Sequence, residues 1–256
     1  MIKSADTEKQ ALDFFVRLGF EASRLAEHPS EKRCDLVITG PDSKYFIETK
    51  TRFDNHDANN RIYDDYYKYS EKSFGYDNKL KGILNKAVKQ LEASCGNSSD
   101  AYKLILIDVR DSFDDAPRYE RALSTLLGVQ RLRCYIGKEG IEKGCYYFCE
   151  SGFFSFKQID GAIIFNNRLP ELFVNTFSAK YDFFLTSELH KIFASNFVIR
   201  DPYAIPDNSP FILADCSVNR KDKHKVIEFL VKKYGYTRII DHTLVEHTWT
   251  PLANNQ

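Results

Sequence analysis

Residues 34–50 read Cys34-Asp35-Leu36-Val37-Ile38-Thr39-Gly40-Pro41-Asp42-Ser43-Lys44-Tyr45-Phe46-Ile47-Glu48-Thr49-Lys50. Two apolar runs flank a Gly-Pro-Asp-Ser turn, so the stretch predicts a β-hairpin, with strands over 36–39 and 44–50. Side chains alternate between the two faces of a strand. Phe46, Glu48 and Lys50 therefore share one face, and Tyr45, Ile47 and Thr49 share the other. With a four-residue turn at 40–43, Thr39 opposes Lys44, Ile38 opposes Tyr45, Leu36 opposes Ile47 and Asp35 opposes Glu48. Opposed Cβ atoms lie about 5 Å apart, and the diagonal Lys50 lies about 7–8 Å from Asp35.

Two carboxylates facing each other in a hairpin repel unless something cationic sits between them. A hard divalent ion such as Mg²⁺ (or Mn²⁺) fills that role. It would take Asp35, Glu48 and the backbone carbonyl of Thr49, and leave positions for water and phosphate oxygens. Lys50 can then orient or help deprotonate an attacking water, or neutralise charge developing on phosphorus. The competing reading is a half-exposed hairpin whose polar face carries ordinary surface ion pairs.

Working outward, Thr7 and Gln10 fit a capping box. Ala11, Phe14, Phe15 and Leu18 then recur at helical spacing, and Gly19 is a natural stop. Beyond the hairpin, residues 52–77 are polar and Tyr-rich. Tyr63, Tyr66, Tyr67, Tyr69 and Tyr76 interleave with Arg52, Arg61, Lys68 and Lys72, a pattern able to stack on bases and track phosphates. Asp54, Asp57, Asp64, Asp65 and Glu71 in the same stretch favour instead an amphipathic helix packed on the core. Leu80, Ile83, Leu84, Ala87, Val88 and Leu91 give a strong helical stripe. Leu104 to Val109 reads as a strand covered on both faces. A further helix is expected over 119–127, strands over 132–136, 145–149, 159–165 and 171–174, and helices over 187–197 and 222–234. This order predicts a mixed α/β fold, a central sheet flanked by helices. Residues 1–180 would form the core, and 181–256 an α-rich C-terminal extension packed on it.

At this point the chain resembles a family. Asp35, twelve intervening residues, and Glu48-Thr49-Lys50 on an apolar strand look like the active-site signature of the PD-(D/E)XK, or restriction endonuclease-like, nucleases. The resemblance covers roughly residues 5–110 and implies a Mg²⁺-dependent endonuclease acting on phosphodiester bonds. It further implies Glu8, on the helix before the hairpin, as an extra metal ligand. Lys86 and Gln90, on the helix after the strand, would face the scissile phosphate. Cys34 stands where the name-giving Pro would be, a departure common in the family. Two other (D/E)xK triplets, Asp42-Ser43-Lys44 and Asp77-Asn78-Lys79, sit in turn-like contexts with no facing carboxylate.

The 256 residues carry 36 Lys plus Arg and 36 Asp plus Glu, a formal net charge of zero. Bulk-charge binding of nucleic acid is thereby excluded, but local patches are not. Lys79, Lys81, Lys86 and Lys89 have no acidic residue among them from 78 to 91. They form a positive rim that, with Arg52, would contact nucleic acid. Arg220, Lys221, Lys223, His224 and Lys225 make a second basic cluster. The six cysteines lack metal-ligand spacing and read as small buried hydrophobes. His242 and His247, five apart, read as surface or terminal packing. No serine-nucleophile elbow or phosphate-binding glycine loop is present. No apolar run reaches the roughly 20 residues of a membrane span, and no export signal opens the chain, so a cytoplasmic location is expected. DNA is favoured over RNA as substrate, and homodimerisation would suit double-strand cleavage. A binding or assembly module without catalysis, on the same fold, is the alternative.

Overall fold

The structure, a computed structural model, describes residues 4–26, 32–51, 67–73, 75–96, 100–110, 116–242 and 245–251. It is mixed α/β, with a seven-stranded mixed sheet, a four-stranded sheet and a two-stranded ribbon. The chain forms two compact units, 1–52, 77–115 and 151–209 in the first and 53–76, 116–150 and 210–256 in the second. The expected boundary near residue 180 is therefore replaced by an interleaved division. Residues 181–209 complete the first unit, while 116–150 join the C-terminal stretch in the second. The physical reason is strand pairing between segments distant in sequence, which no local composition shift marks.

The first unit opens with helix α1 (Ser4–Arg17) and strand β1 (Glu21–Arg24). The hairpin follows as β2 (Leu36–Thr39) and β3 (Lys44–Thr51). Its register, Leu36 to Ile47, Ile38 to Tyr45 and Thr39 to Lys44, is the one the four-residue turn requires. Gly40 N–H closes that turn by donating to the Ser43 carbonyl at 2.8 Å. Helix α2 (Asn78–Cys95) then crosses over to β5 (Tyr102–Asp108), which lies parallel to β3. After α4 (Gly152–Ser155), β8 (Gly161–Phe165) pairs parallel with β5, and β9 (Glu171–Val174) pairs antiparallel with β8. Helices α5 (Tyr181–Leu185) and α6 (Glu188–Asn196) lead to β10 (Val198–Arg200), parallel to β9. The strand order is β1-β2-β3-β5-β8-β9-β10.

The two faces of this sheet are covered differently. Tyr45, Ile47, Leu104, Leu106, Ile163 and Leu172 pack with Ala11, Phe14 and Phe15 of α1 and with Phe184, Leu189 and Phe193 of α5 and α6. The opposite face carries Phe46, Ile105, Ile107, Ala162 and Ile164, all buried. There α2 packs against β3 and β5. Its stripe Leu80, Leu84, Ala87, Val88 and Leu91 is buried, and Asp77 caps it by accepting from Lys79 N–H and Leu80 N–H at 2.8 and 3.1 Å. Asp77 of the second (D/E)xK triplet is thus a helix cap.

One helical detail departs from expectation. Because α1 begins at Ser4, Thr7 lies within the helix and is not its cap. Its fully buried hydroxyl donates to Asp108 Oδ2 at 3.1 Å, and Gln10 accepts from Arg110. A capping pattern one turn inside a helix was recruited for tertiary bonding.

Close packing of the sheet makes Gly161 sensitive. A Cβ there would stand 2.6 Å from the Phe173 carbonyl of the neighbouring strand, a backbone atom that cannot swing aside. Gly161→Ala should cost about 1–3 kcal/mol in urea unfolding.

The second unit contains α3 (Ala116–Leu127), β6 (Gln130–Ile136), β7 (Glu139–Tyr146), β11 (Phe211–Leu213), α7 (Lys223–Tyr234) and β12 (Arg238–Asp241). Its sheet order is β11-β7-β6-β12. Leu132, Cys134, Cys145, Phe148, Val226, Leu230 and Ile239 form its core. The Tyr-rich stretch read as an amphipathic helix supplies instead a strand, β4 (Tyr67–Ser73), paired along its length with β13 (Val245–Pro251). Tyr67-Lys68-Tyr69-Ser70 alternates with a period of two, and its partner lies at the far end of the chain. Tyr63, Tyr66, Arg61 and Arg52 lie outside the described residues. The C-terminal third contributes four short strands beside its three helices, and the helices hold the larger share of its residues. All six cysteines are free, four of them buried.

Candidate active site

The second half of β3 carries the residues singled out in the sequence. Glu48 is 0 % exposed, Thr49 is buried and Lys50 is half-buried. Alternation along the strand puts Glu48 and Lys50 on the α2 face, and the Lys50 ammonium donates directly to Glu48 Oε1. The other carboxylate oxygen, Glu48 Oε2, is buried with no hydrogen-bond partner among the described residues. Burial pushes the Glu48 carboxyl from its ordinary 4.5 up to about 7. The Lys50 hydrogen bond opposes that rise, and the Asp35 charge adds to it.

Asp35 sits just before β2, one residue beyond the laddered register. It is close enough to act electrostatically on Glu48, but its side chain is turned towards the next residue of β3. Asp35 Oδ2 accepts from the Thr49 N–H at 2.7 Å and from the Thr49 hydroxyl at 2.6 Å. A strand residue's N–H and C=O leave the backbone on the same side. The Thr49 carbonyl is therefore directed to that same edge, past the end of β2. Asp35, the Glu48 carboxylate and this carbonyl are hard-oxygen donors of the kind Mg²⁺ takes. The orphaned Glu48 Oε2 is the observation that fits such an ion, since a buried acceptor left unbonded is costly. No cluster of three or more Asp, Glu, His or Cys suited to a metal occurs among the described residues.

Gln90 on α2 braces the site. Its Nε2 donates to the Arg33 carbonyl at 3.2 Å, and its Oε1 lies 3.5 Å from the Lys50 ammonium. Gln90→Ala should therefore lower any Lys50-dependent turnover about tenfold and leave substrate affinity nearly unchanged, as measured by kcat against KM. Cys34 is locked in place by its N–H, which donates to Ser94 Oγ at 2.6 Å. Burial pushes its thiol up to about 12, so it stays a protonated packing group and not a nucleophile.

Other predicted residues are placed elsewhere. Glu8 lies on α1, which covers the opposite face of the sheet, and its carboxylate pairs with Arg24 at 3.5 Å. The structure does not bring it to Glu48. Helical phase is the reason: Thr7, one residue earlier, turns inward to Asp108 and directs Glu8 towards β1. Lys79, Lys86 and Lys89 are exposed along α2, on the side of the sheet that holds Glu48 and Lys50. Arg52 is outside the described residues.

Sequence reasoning missed a further buried charge beside the site. Asp108, fully buried at the end of β5, receives Arg110 Nε at 2.8 Å and the Thr7 hydroxyl, which in turn accepts from Thr51 at 3.0 Å. The only local signal was an acid closing an otherwise apolar run. Compared with models of protein families, with curated proteins and with solved structures, the chain matches none.

Proposed function

We propose that the chain is a metal-dependent nuclease of the PD-(D/E)XK type that hydrolyses phosphodiester bonds, with DNA as the favoured substrate. The observation that carries this reading is the buried Glu48, one oxygen on Lys50 and the other unpartnered, at the end of an apolar strand. Asp35, Glu48 and the Thr49 carbonyl would hold Mg²⁺ or Mn²⁺. When bound, the ion supplies Lewis-acid polarisation of a phosphoryl oxygen. Lys50, half-exposed and held between Glu48 and Gln90, orients a water for attack and offsets negative charge that grows on phosphorus. The exposed lysines 79, 86 and 89 give the α2 side a run of positive charge without acids, suited to a phosphate backbone. Glu8 is left out of the ligand set because its carboxylate is engaged with Arg24.

The test is incubation of the protein with duplex, single-stranded and branched DNA and with RNA, in Mg²⁺, in Mn²⁺ and in EDTA. Cleavage of DNA with either ion and none in EDTA is expected. Cleavage of RNA alone would move the substrate and keep the site. Metal-independent binding without cleavage of any substrate would replace the enzyme with a non-catalytic binding module.

A further inference from the structure

A concavity opens at the carboxyl ends of β5 and β8, the end of a parallel sheet where ligands commonly bind. It measures about 570 Å³, within the range of small-molecule sites. The residue row Thr51, Asp108 and Phe165 runs across the adjacent strands β3, β5 and β8. The cleft thus lies two strand spacings, about 10 Å, from the end of β3. It is on the α1 face, opposite the face that bears Lys50.

Its lining combines an aromatic floor with guanidinium walls. Phe14 and Phe165 pack edge to face at 5.1 Å, and Phe197 stands 5.6 Å from Phe14. Above Phe165, at 5.1 Å, lies the Arg110 guanidinium. That group is fixed by two bonds to the buried Asp108 and one to Gln10. These engage Nε and Nη2 and leave Nη1 uncommitted among the described residues. Arg17 and Arg168 reach the cleft from α1 and from the β8–β9 turn, both exposed at its rim. Asp13 is the single acid in the lining, against three arginines.

We propose that this cleft binds a nucleotide, its base stacked on the Arg110–Phe165 pair and its phosphate held by Arg17 and Arg168. A pinned guanidinium backed by an aromatic ring is a flat, pre-ordered surface for a heterocycle. Two exposed arginines at the rim, Arg17 with its Nε donating to the Asp13 carbonyl at 3.1 Å, suit phosphate contacts through their terminal nitrogens. Inorganic phosphate would use only the rim, and an uncharged aromatic only the floor. The lining is matched by a ligand that has both. The proposal does not depend on the metal reading of Glu48 and Lys50, which occupy the other face.

The experiment is calorimetric titration of the full chain, carrying Lys50→Ala and in EDTA so that nothing is cleaved. The probes are AMP, ATP, inorganic phosphate, and a short single strand with and without a 5′-phosphate. Nucleotide binding at least tenfold tighter than inorganic phosphate is expected, with at least a tenfold loss in the Arg17→Ala/Arg168→Ala double variant. Both positions are exposed, so the fold should survive, as checked by an unchanged unfolding midpoint. Binding of AMP or ATP identifies a free nucleotide as the ligand. Binding of the 5′-phosphorylated strand alone identifies a strand end. No binding of any probe, equal binding of nucleotide and inorganic phosphate, or binding indifferent to the double substitution would overturn the proposal. None of these outcomes bears on cleavage, so the two readings fail separately.

Discussion

Lys50→Ala should lower Mg²⁺-dependent DNA cleavage by about 10²–10⁴-fold, the range for loss of one positioned general acid–base or charge-stabilising group. The ammonium is the one cation placed directly on Glu48 among the described contacts, so no neighbour is positioned to replace it. The loss should fall on kcat with KM little changed, because phosphate-backbone binding is spread over the α2 lysines. Folding should tolerate the change. With its partner gone, buried Glu48 can take up a proton, which its already raised pKa makes easy. A stable Lys50→Ala protein that cuts at the parental rate would remove Lys50 from the site. Asp35→Asn is the companion, since it keeps the shape that accepts from Thr49 but discards the charge facing Glu48.

The second large effect concerns stability without metal. In the folded chain the Glu48 carboxyl is raised to about 7 from an ordinary 4.5, mainly by burial. For a group raised on folding, the stabilising contribution is complete below the unfolded value and is lost as pH climbs through the folded one. Relative to the acid form, the ionised carboxylate is therefore a burden above about pH 7. Glu48→Gln keeps the volume and removes the titration. From pH 5 to pH 8 in EDTA, the variant should gain about 2–3 kcal/mol on the parent, at 1.36 kcal/mol for each pH unit of the window. Urea titrations at the two pH values measure this directly. A variant markedly less stable than the parent at pH 8 would mean that Glu48 and Lys50 are a structural ion pair, and the nuclease reading would lose its chief support.

What could be read from the sequence had local causes. The hairpin and its register follow from a turn of fixed length, and α2 from an apolar stripe at helical spacing. The adjacency of Glu48 and Lys50 follows from strand alternation alone. What could not be read depends on distant partners or on phase. β1, Glu-Ala-Ser-Arg, has no apolar alternation and exists because β2 offers it an edge. β4 is a strand because β13 pairs with it. Whether Thr7 or Glu8 turns inward is a matter of one helical step, decided by the buried Asp108 it meets, 101 residues away. Asp35 is at the right place, but its carboxylate turns to Thr49 because β2 begins only at the next residue, so the ladder does not fix its direction.

The interleaving of the two units bears on how the chain is made. β5 and its parallel neighbour β8 flank one another in the sheet, yet residues 116–150, which belong to the other unit, are translated between them. As the polypeptide leaves the ribosome, the hairpin can form first, and α2 and β5 join it once residue 108 has emerged, across residues 53–76 that also belong to the other unit. The far edge of that sheet, β8 to β10, waits until residues 161–200 have emerged, and the β5 edge stays exposed until β8 does. Parallel pairing across such an excursion is slow and prone to wrong partners. Nascent chains halted between β5 and β8 should therefore be the species most readily captured by chaperones or lost to aggregation, while the Glu48–Lys50 strand is already paired on both sides.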